Sequence, residues 1–144
     1  MRVKDVLAKK GDAVATIGVS ATVAQVISDL AGHRVGALVV STDGRTVRGI
    51  VSERDVVHAL DAYGADVLAM PVSAIMTAEV HTCSPGDEVR GLARTMSDKR
   101  FRHMPVVVDG ELAGIVSIGD IVKIRVDELE TEHEQLMGYI SSAG

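Results

Sequence analysis

The chain is one unit written twice, and that doubling constrains its fold more than any other feature, because a repeated unit too small to bury its own core must share one with its copy. Residues 22–40, TVAQVISDLAGHRVGALVV, lie over residues 88–106, EVRGLARTMSDKRFRHMPV, at an offset of 66. Apolar Val23, Val26, Ile27 and Leu30 fall on Val89, Leu92, Ala93 and Met96, spaced i, i+3, i+4, i+7 in both copies. That spacing is the apolar stripe of an amphipathic helix.

A short run rich in β-branched residues follows each helix, residues 35–40 and 103–108, and reads as a strand. Asp43-Gly44 and Asp109-Gly110 are hairpin signals, since glycine takes the positive φ of a tight connection. One extra residue in the first hairpin changes the offset to 65, and Gly49-Ile50-Val51-Ser52 then superimposes on Gly114-Ile115-Val116-Ser117. A second helix opens after each. Residues 14–17 and 80–83 are a leading strand candidate in each copy, so the unit reads β-α-β-β-α.

The fold class expected is therefore α/β (α+β), with two repeats packed as an intertwined pair and a long C-terminal helix. Gly64 and Pro71 mark the connection, and Pro71 with Ser73 suits a short helix over 72–76. The divisions expected are a first repeat at 8–66, a linker at 67–75, a second repeat at 76–126 and a helical extension at 127–144.

Fifteen Lys and Arg stand against twenty Asp and Glu, a net charge of −5. Asp127, Glu128, Glu130, Glu132 and Glu134 account for the whole excess. A basic surplus of the kind nucleic acid requires is absent, and Tyr63, Phe101 and Tyr139 are too scattered to stack bases. Composition is that of a soluble globular chain, with 47% apolar and 24% charged residues and no run long enough to span a membrane. The first residues are too short and too charged for a signal sequence, so a cytoplasmic location is expected. Cys83, the lone cysteine, reads as a buried, inert thiol.

Chemistry concentrates at two equivalent junctions of strand and helix, Gly49-x-x-Ser52-x-x-Asp55 and Gly114-x-x-Ser117-x-x-Asp120. Each is readable as a capping box, with serine at the N-cap and aspartate three positions on. Each also places a serine donor and an acidic residue at a helix N-terminus, where free amides and the dipole favour phosphate. An aspartate there can accept both hydroxyls of a ribose. Together these groups match the sugar and phosphate of a nucleotide.

Lys99, Arg100, Arg102 and His103 form a second cluster, around Phe101, readable as a solvated rim. Strand alternation sends Arg100 and Arg102 to one face and Phe101 and His103 inward. The first copy has Gly36 and Ala37 in the places of Arg102 and His103, so the two copies are not chemically equivalent. Between serine and aspartate, the first copy also has Glu53-Arg54 and the second Ile118-Gly119. Arg54, with Arg102, then favours a compact phosphate such as AMP at the Ser52/Asp55 junction, while Gly119 leaves room for a dinucleotide such as NAD at the Ser117/Asp120 junction.

The ordered series VGALVV, GIVSERD, IMT, RFRHMPVV and GIVSIGD resembles a tandem pair of cystathionine β-synthase (CBS) domains, or Bateman module, and in particular the small stand-alone bacterial pairs. The resemblance covers residues 3 to about 125. It implies a regulatory adenine-nucleotide-binding module for AMP, ADP or ATP, extending to NAD(H) or S-adenosylmethionine, with ligand between the repeats and two chains in a dimer. By that resemblance Asp55 and Asp120 hold ribose hydroxyls, and Ser52 and Ser117 lie at the ribose-phosphate. The cleft of Ser117 and Asp120 draws on Lys10, Asp12, Val35 and Gly36. The cleft of Ser52 and Asp55 draws on Thr77, Val80, Phe101 and Arg102, and His103 resembles a histidine that faces phosphate.

Residues 120–140 carry Val122, Val126, Leu129, His133, Leu136 and Ile140 at alternating steps of four and three, an a/d seam suited to a partner helix. A homodimer is the economical result. No catalytic constellation is visible: Ser52 has Asp55 but no histidine at a comparable place, Gly-Ile-Val-Ser is not a nucleophile elbow, and the histidines lack zinc spacing. No catalytic cofactor or metal is expected, and the chain reads as a non-enzyme. The competing readings are a structural protein-protein interaction domain with no physiological nucleotide and, less favoured, a nucleic-acid-associated regulator using Lys99, Arg100 and Arg102.

Overall fold

A computed structural model describes residues 1–143. Its elements are α1 (Val3–Lys10), β1 (Thr16–Ile17), α2 (Val23–His33), β2 (Ala37–Val40), β3 (Gly49–Ser52), α3 (Glu53–Tyr63), α4 (Val89–Lys99), β4 (His103–Val108), β5 (Glu111–Ser117) and α5 (Ile118–Ala143). One sheet has the order β1-β2-β3, with β1 parallel and β3 antiparallel to β2, and the other pairs β4 with β5 antiparallel. The mixed α/β architecture with a long C-terminal helix is as expected.

The stripes predicted for α2 and α4 face inward through Val23, Val26 and Leu30 in one and Val89, Leu92 and Met96 in the other. Thr22 caps α2, its hydroxyl oxygen accepting from the Gln25 amide at 3.2 Å, which satisfies one free helix-end donor. Both helices stop on an arginine in the left-handed region, Arg34 with φ 55° and Arg100 with φ 59°. These residues are equivalents at the repeat offset, so the doubling extends to a conformation that non-glycine residues seldom adopt.

The leading strand is where the copies part. In the first, the Val39 amide donates to the Ala15 carbonyl at 3.1 Å and the Ser41 amide to Ile17 at 2.9 Å, which builds the parallel pair. In the second, the expected strand over 80–83 reduces to a single bridge between Cys83 and Val106. The equivalent of Val39 is Pro105, which has no N–H to donate back to the leading segment. Only the Cys83 amide to the Pro105 carbonyl, 3.0 Å, and the Val107 amide to Cys83, 2.8 Å, remain. Burial pushes the Cys83 thiol up to about 12, so it stays protonated and unreactive at neutral pH.

The turns differ as well. Asp109 and Gly110 both have positive φ, 52° and 79°, as a two-residue connection between β4 and β5 requires. The first connection is a longer loop wound on Asp43, whose carboxylate accepts from the amides of Thr46 at 2.7 Å and Arg45 at 2.8 Å and from the hydroxyls of Thr46 and Ser41. Those bonds, the Thr46 amide first, hold its carboxyl well below the usual range.

The repeats do not share the single core expected of them: each has its own, and the start of the chain is packed into the second repeat's. Val3 and Val6 of α1 are fully buried in the second repeat's core, with Met104, Val106 and Val116. Val72, in a single 3-10 turn at Val72–Ala74 where a short helix over 72–76 was expected, belongs to the first repeat's core. The 3-10 segment Gly64–Ala69 buries Val67 beside Val23 and Ala59, so much of the stretch expected as linker is packed structure. Each repeat thus has a preceding segment lying on its β-hairpin: a Cβ on Gly49 would come within 2.7 Å of Met76 Sδ and 2.9 Å of the Thr77 carbonyl, and one on Gly114 within 2.8 Å of Leu7 Cδ2. Only glycine admits such an approach.

α5 docks on the second core through Ile121 and Ile124, a face different from the seam. Val122, Val126, Leu129, Leu136 and Ile140 are all about half exposed. No helix among the described residues is long and apolar enough to cross a membrane.

Candidate functional site

Ser52 and Ser117 end their strands and cap the helices that follow, and both capping boxes form. The Ser52 amide donates to Asp55 Oδ2 at 2.9 Å and the Asp55 amide to Ser52 Oγ at 3.4 Å. In the second repeat the Ser117 amide donates to Asp120 Oδ2 at 2.9 Å and the Asp120 amide to Ser117 Oγ at 3.1 Å. All hydrogen bonds to either aspartate fall on Oδ2; among the described residues Oδ1 receives none. Capping therefore leaves one carboxylate oxygen of each available for a second task. The first-turn amides of Arg54 and Gly119 have no acceptor within their own helices.

Each box is first tied within its own repeat. The Glu53 amide donates to the Gly36 carbonyl at 3.0 Å and, equivalently, the Ile118 amide to Arg102 at 2.8 Å, so the strand before each hairpin is tied to the helix start after it. His103 pairs across the ladder with Ser117, and its ring lies on Gly36 of the first repeat: a Cβ there would be 3.2 Å from Cε1 and 3.3 Å from Nε2. The glycine is what lets an imidazole from one repeat close over the backbone of the other. Burial pushes the His103 imidazole below its ordinary value; Asp120 and Glu53 pull it back, while Lys10 and Arg102 add to the depression.

Lys10, at the end of α1, crosses to the same place. Its ammonium donates to Asp120 Oδ2 at 2.6 Å and to the Ile115 carbonyl at 2.8 Å. Burial pushes the Asp120 carboxyl up, but the Lys10 and Ser117 hydrogen bonds more than offset that and hold it below the usual range. Lys10, Gly36, Arg102, His103, Ser117 and Asp120 thus form one cluster.

The first junction is built differently. The Thr77 and Ile50 backbones bond reciprocally at 2.9 and 3.0 Å beside Ser52. Arg54 Nη1 donates to the carbonyl of Arg100, the left-handed cap of α4, at 2.9 Å. The guanidinium expected at a phosphate is here a tie between the repeats. Asp55 has no ion pair among the described residues.

The remaining expected residues lie further out. Gly119 is open: an added Cβ would touch only Ser117 Oγ, at 3.6 Å. Val35 is half-buried against the first core, and Val80 is half-buried in the coil before Cys83. Asp12 is exposed on a separate groove of about 400 Å³ with Lys4, Leu7, Ala8 and Pro85. Phe101 stacks on His81, centroids 5.1 Å apart. Sequence reasoning passed over Glu53, whose carboxylate is 3.5 Å from the same Gly36 position; its place in the Ser-x-x-Asp spacing was the available signal. Among the described residues no cluster of His, Cys, Asp and Glu is arranged to hold a metal.

Comparison with known proteins gives a consistent result. The family model for the CBS domain matches residues 3–62 and 72–127. A CBS-domain containing protein of Agrobacterium tumefaciens, known as a crystal structure, is 43% identical with a TM-score of 0.84, covering 87% of this chain and 99% of that one. A CBS domain protein of Pyrobaculum aerophilum, solved in complex with AMP, is 30% identical with a TM-score of 0.74, covering 83% of this chain and 89% of that one. Among curated sequences, the mitochondrial CBS domain-containing protein CBSX3 of Arabidopsis thaliana is 37% identical over 123 residues, 83% of this chain and 60% of the plant protein. The chain thus spans less than two thirds of that relative.

Proposed function

The chain belongs to the CBS-domain family, a family of generally regulatory modules, and from that premise we propose that it is a non-catalytic sensor that binds adenine nucleotide in the two clefts between its repeats. The observation that carries this reading is the pair of helix N-termini, each offering Ser and Asp with Oδ1 unengaged and each closed by backbone or side chains of the other repeat. AMP is the ligand of the Pyrobaculum relative. For this chain the reading covers AMP, ADP and ATP, extends to NAD(H), and assigns Ser52, Asp55, Ser117 and Asp120 to ribose and phosphate, with Arg102 and His103 at the phosphate.

Regulation requires that ligand bind two shapes of the protein unequally. The output is then altered affinity for a regulated protein, or altered association of two copies through the exposed seam of α5. A cytoplasmic location and a homodimer complete the reading.

Calorimetry with AMP, ATP, NADH and S-adenosylmethionine tests it. Binding of an adenylate that is lost when Asp55 and Asp120 are both replaced by alanine is the expected result. An adenylate affinity untouched by that double replacement overturns the site. No binding of any of the four favours the second reading, a protein-protein interaction domain with no physiological nucleotide, for which the half-exposed α5 seam is the specific support.

A further inference from the structure

The two aspartates are equivalent by sequence and by capping geometry, yet only one carries a cation. Asp120 is held by Lys10 at 2.6 Å with both side chains about three-quarters buried, while Asp55 has no such partner among the described residues. Lys10 also fixes itself on the Ile115 carbonyl, and α1 is anchored by Val3 and Val6 in the second core. The ammonium is thus delivered to the second cleft by a packed element.

The charges around it constrain what can enter. Lys10 and Arg102 are cationic, Asp120 and Glu53 anionic, and all four bear on a half-buried His103 that is held toward its neutral form. A ribose whose hydroxyls take Asp120 Oδ1 shares the carboxylate with Lys10 on Oδ2, and so weakens the one charge-assisted bond that compensates the ammonium in a partly desolvated place. A ligand with its own phosphate gives the Lys10 ammonium a direct anionic partner, because the lysine stem is flexible enough to turn to it. A neutral nucleoside supplies nothing to Lys10, and a sulfonium adds another positive charge.

We propose that Lys10 is the specificity-determining residue of the second cleft: it occupies Asp120 in the unliganded protein and makes that cleft select anionic adenosine derivatives over neutral or cationic ones, whereas the cleft of Asp55 lacks this filter. The proposal rests on the nucleotide reading above and assigns the ligand class of one of its two clefts.

The test uses the full chain carrying Asp55→Ala, which leaves the second cleft as the binding site, and compares AMP, adenosine and S-adenosylmethionine by calorimetry with and without Lys10→Met. The expected result is that Lys10→Met tightens adenosine, weakens AMP and lowers the AMP-to-adenosine affinity ratio by about fivefold or more, the scale of one lost ion pair. Lys10→Arg retains the charge and is expected to keep most of the selectivity, which separates a charge effect from a folding defect. A ratio unchanged within about twofold in Lys10→Met, with AMP still bound, overturns the proposal and leaves the nucleotide reading standing. Absence of binding by AMP and adenosine to the unmodified chain overturns both.

Discussion

The imidazole of His103 lies on the α-carbon of Gly36, with Nε2 3.3 Å from where a Cβ would stand. A residue of the second repeat is thereby fitted to a residue of the first that has no side chain. Gly36→Val is expected to destabilise the fold by about 1–3 kcal/mol through overpacking. The cost should shrink in a His103→Ala background, because the two sites share one space. Urea unfolding of the four proteins in the cycle measures it; equal cost in both backgrounds refutes the contact.

Gly49 and Gly114 are equivalents that the structure predicts will tolerate alanine unequally. At Gly49 a Cβ meets the Thr77 backbone carbonyl at 2.9 Å as well as Met76, whereas at Gly114 its three nearest neighbours all belong to the branched end of Leu7. Backbone cannot swing aside as a side chain can, so Gly49→Ala should lose about 2 kcal/mol or more and Gly114→Ala less. Leu7→Ala should relieve the second substitution, whereas Met76→Ala should not fully relieve the first. Thermal denaturation of each variant decides the order.

Acid should weaken the fold in two stages. His103 has a lowered folded pKa, so the unfolded chain takes up its proton first, and stability falls as pH drops from about 6.5 toward the folded value. Asp120 is also lowered, and its contribution is present above its unfolded value of about 3.8 and is lost as pH falls through the folded one. His103→Gln should remove the upper stage and Lys10→Met should diminish the lower. Denaturant midpoints followed from pH 8 down to about pH 2 read both; an upper stage that persists in His103→Gln contradicts the assignment.

The seam of α5 is exposed at Leu129 by 47% and at Leu136 by 57%. Replacing both by glutamate should convert the proposed homodimer to a monomer, read by light scattering. The stability of the isolated chain should change by no more than about 0.5 kcal/mol, since neither residue packs on its own core. A dimer that survives the replacement places the interface elsewhere.

Helix positions were legible in the sequence wherever an apolar stripe met a cap or a stop. The stripes of α2 and α4, the start of α3 after Ser52 and the long run of α5 all follow from local spacing, and so do both capping boxes. The helix α1 was not legible, because its short, charged run shows only Val3, Val6, Leu7 and Ala8 as apolar, and the purpose of Val3 and Val6 is a core formed by residues from Cys83 onward. The missing second leading strand could have been read from Pro105, had its place opposite an expected parallel partner been weighed.

By itself, the sequence determined the repeated unit, its helices and the two Ser/Asp junctions, since these depend on contacts within a few residues and on the periodicity of apolar side chains. Only tertiary structure decided that Lys10 reaches Asp120, that Arg54 ties the repeats through the Arg100 carbonyl, and that His103 closes on Gly36. Those relationships distinguish two clefts that the motif alone makes identical. They arise because each hairpin is completed by a segment distant in the chain, and no local pattern encodes which side chain such a segment will deliver.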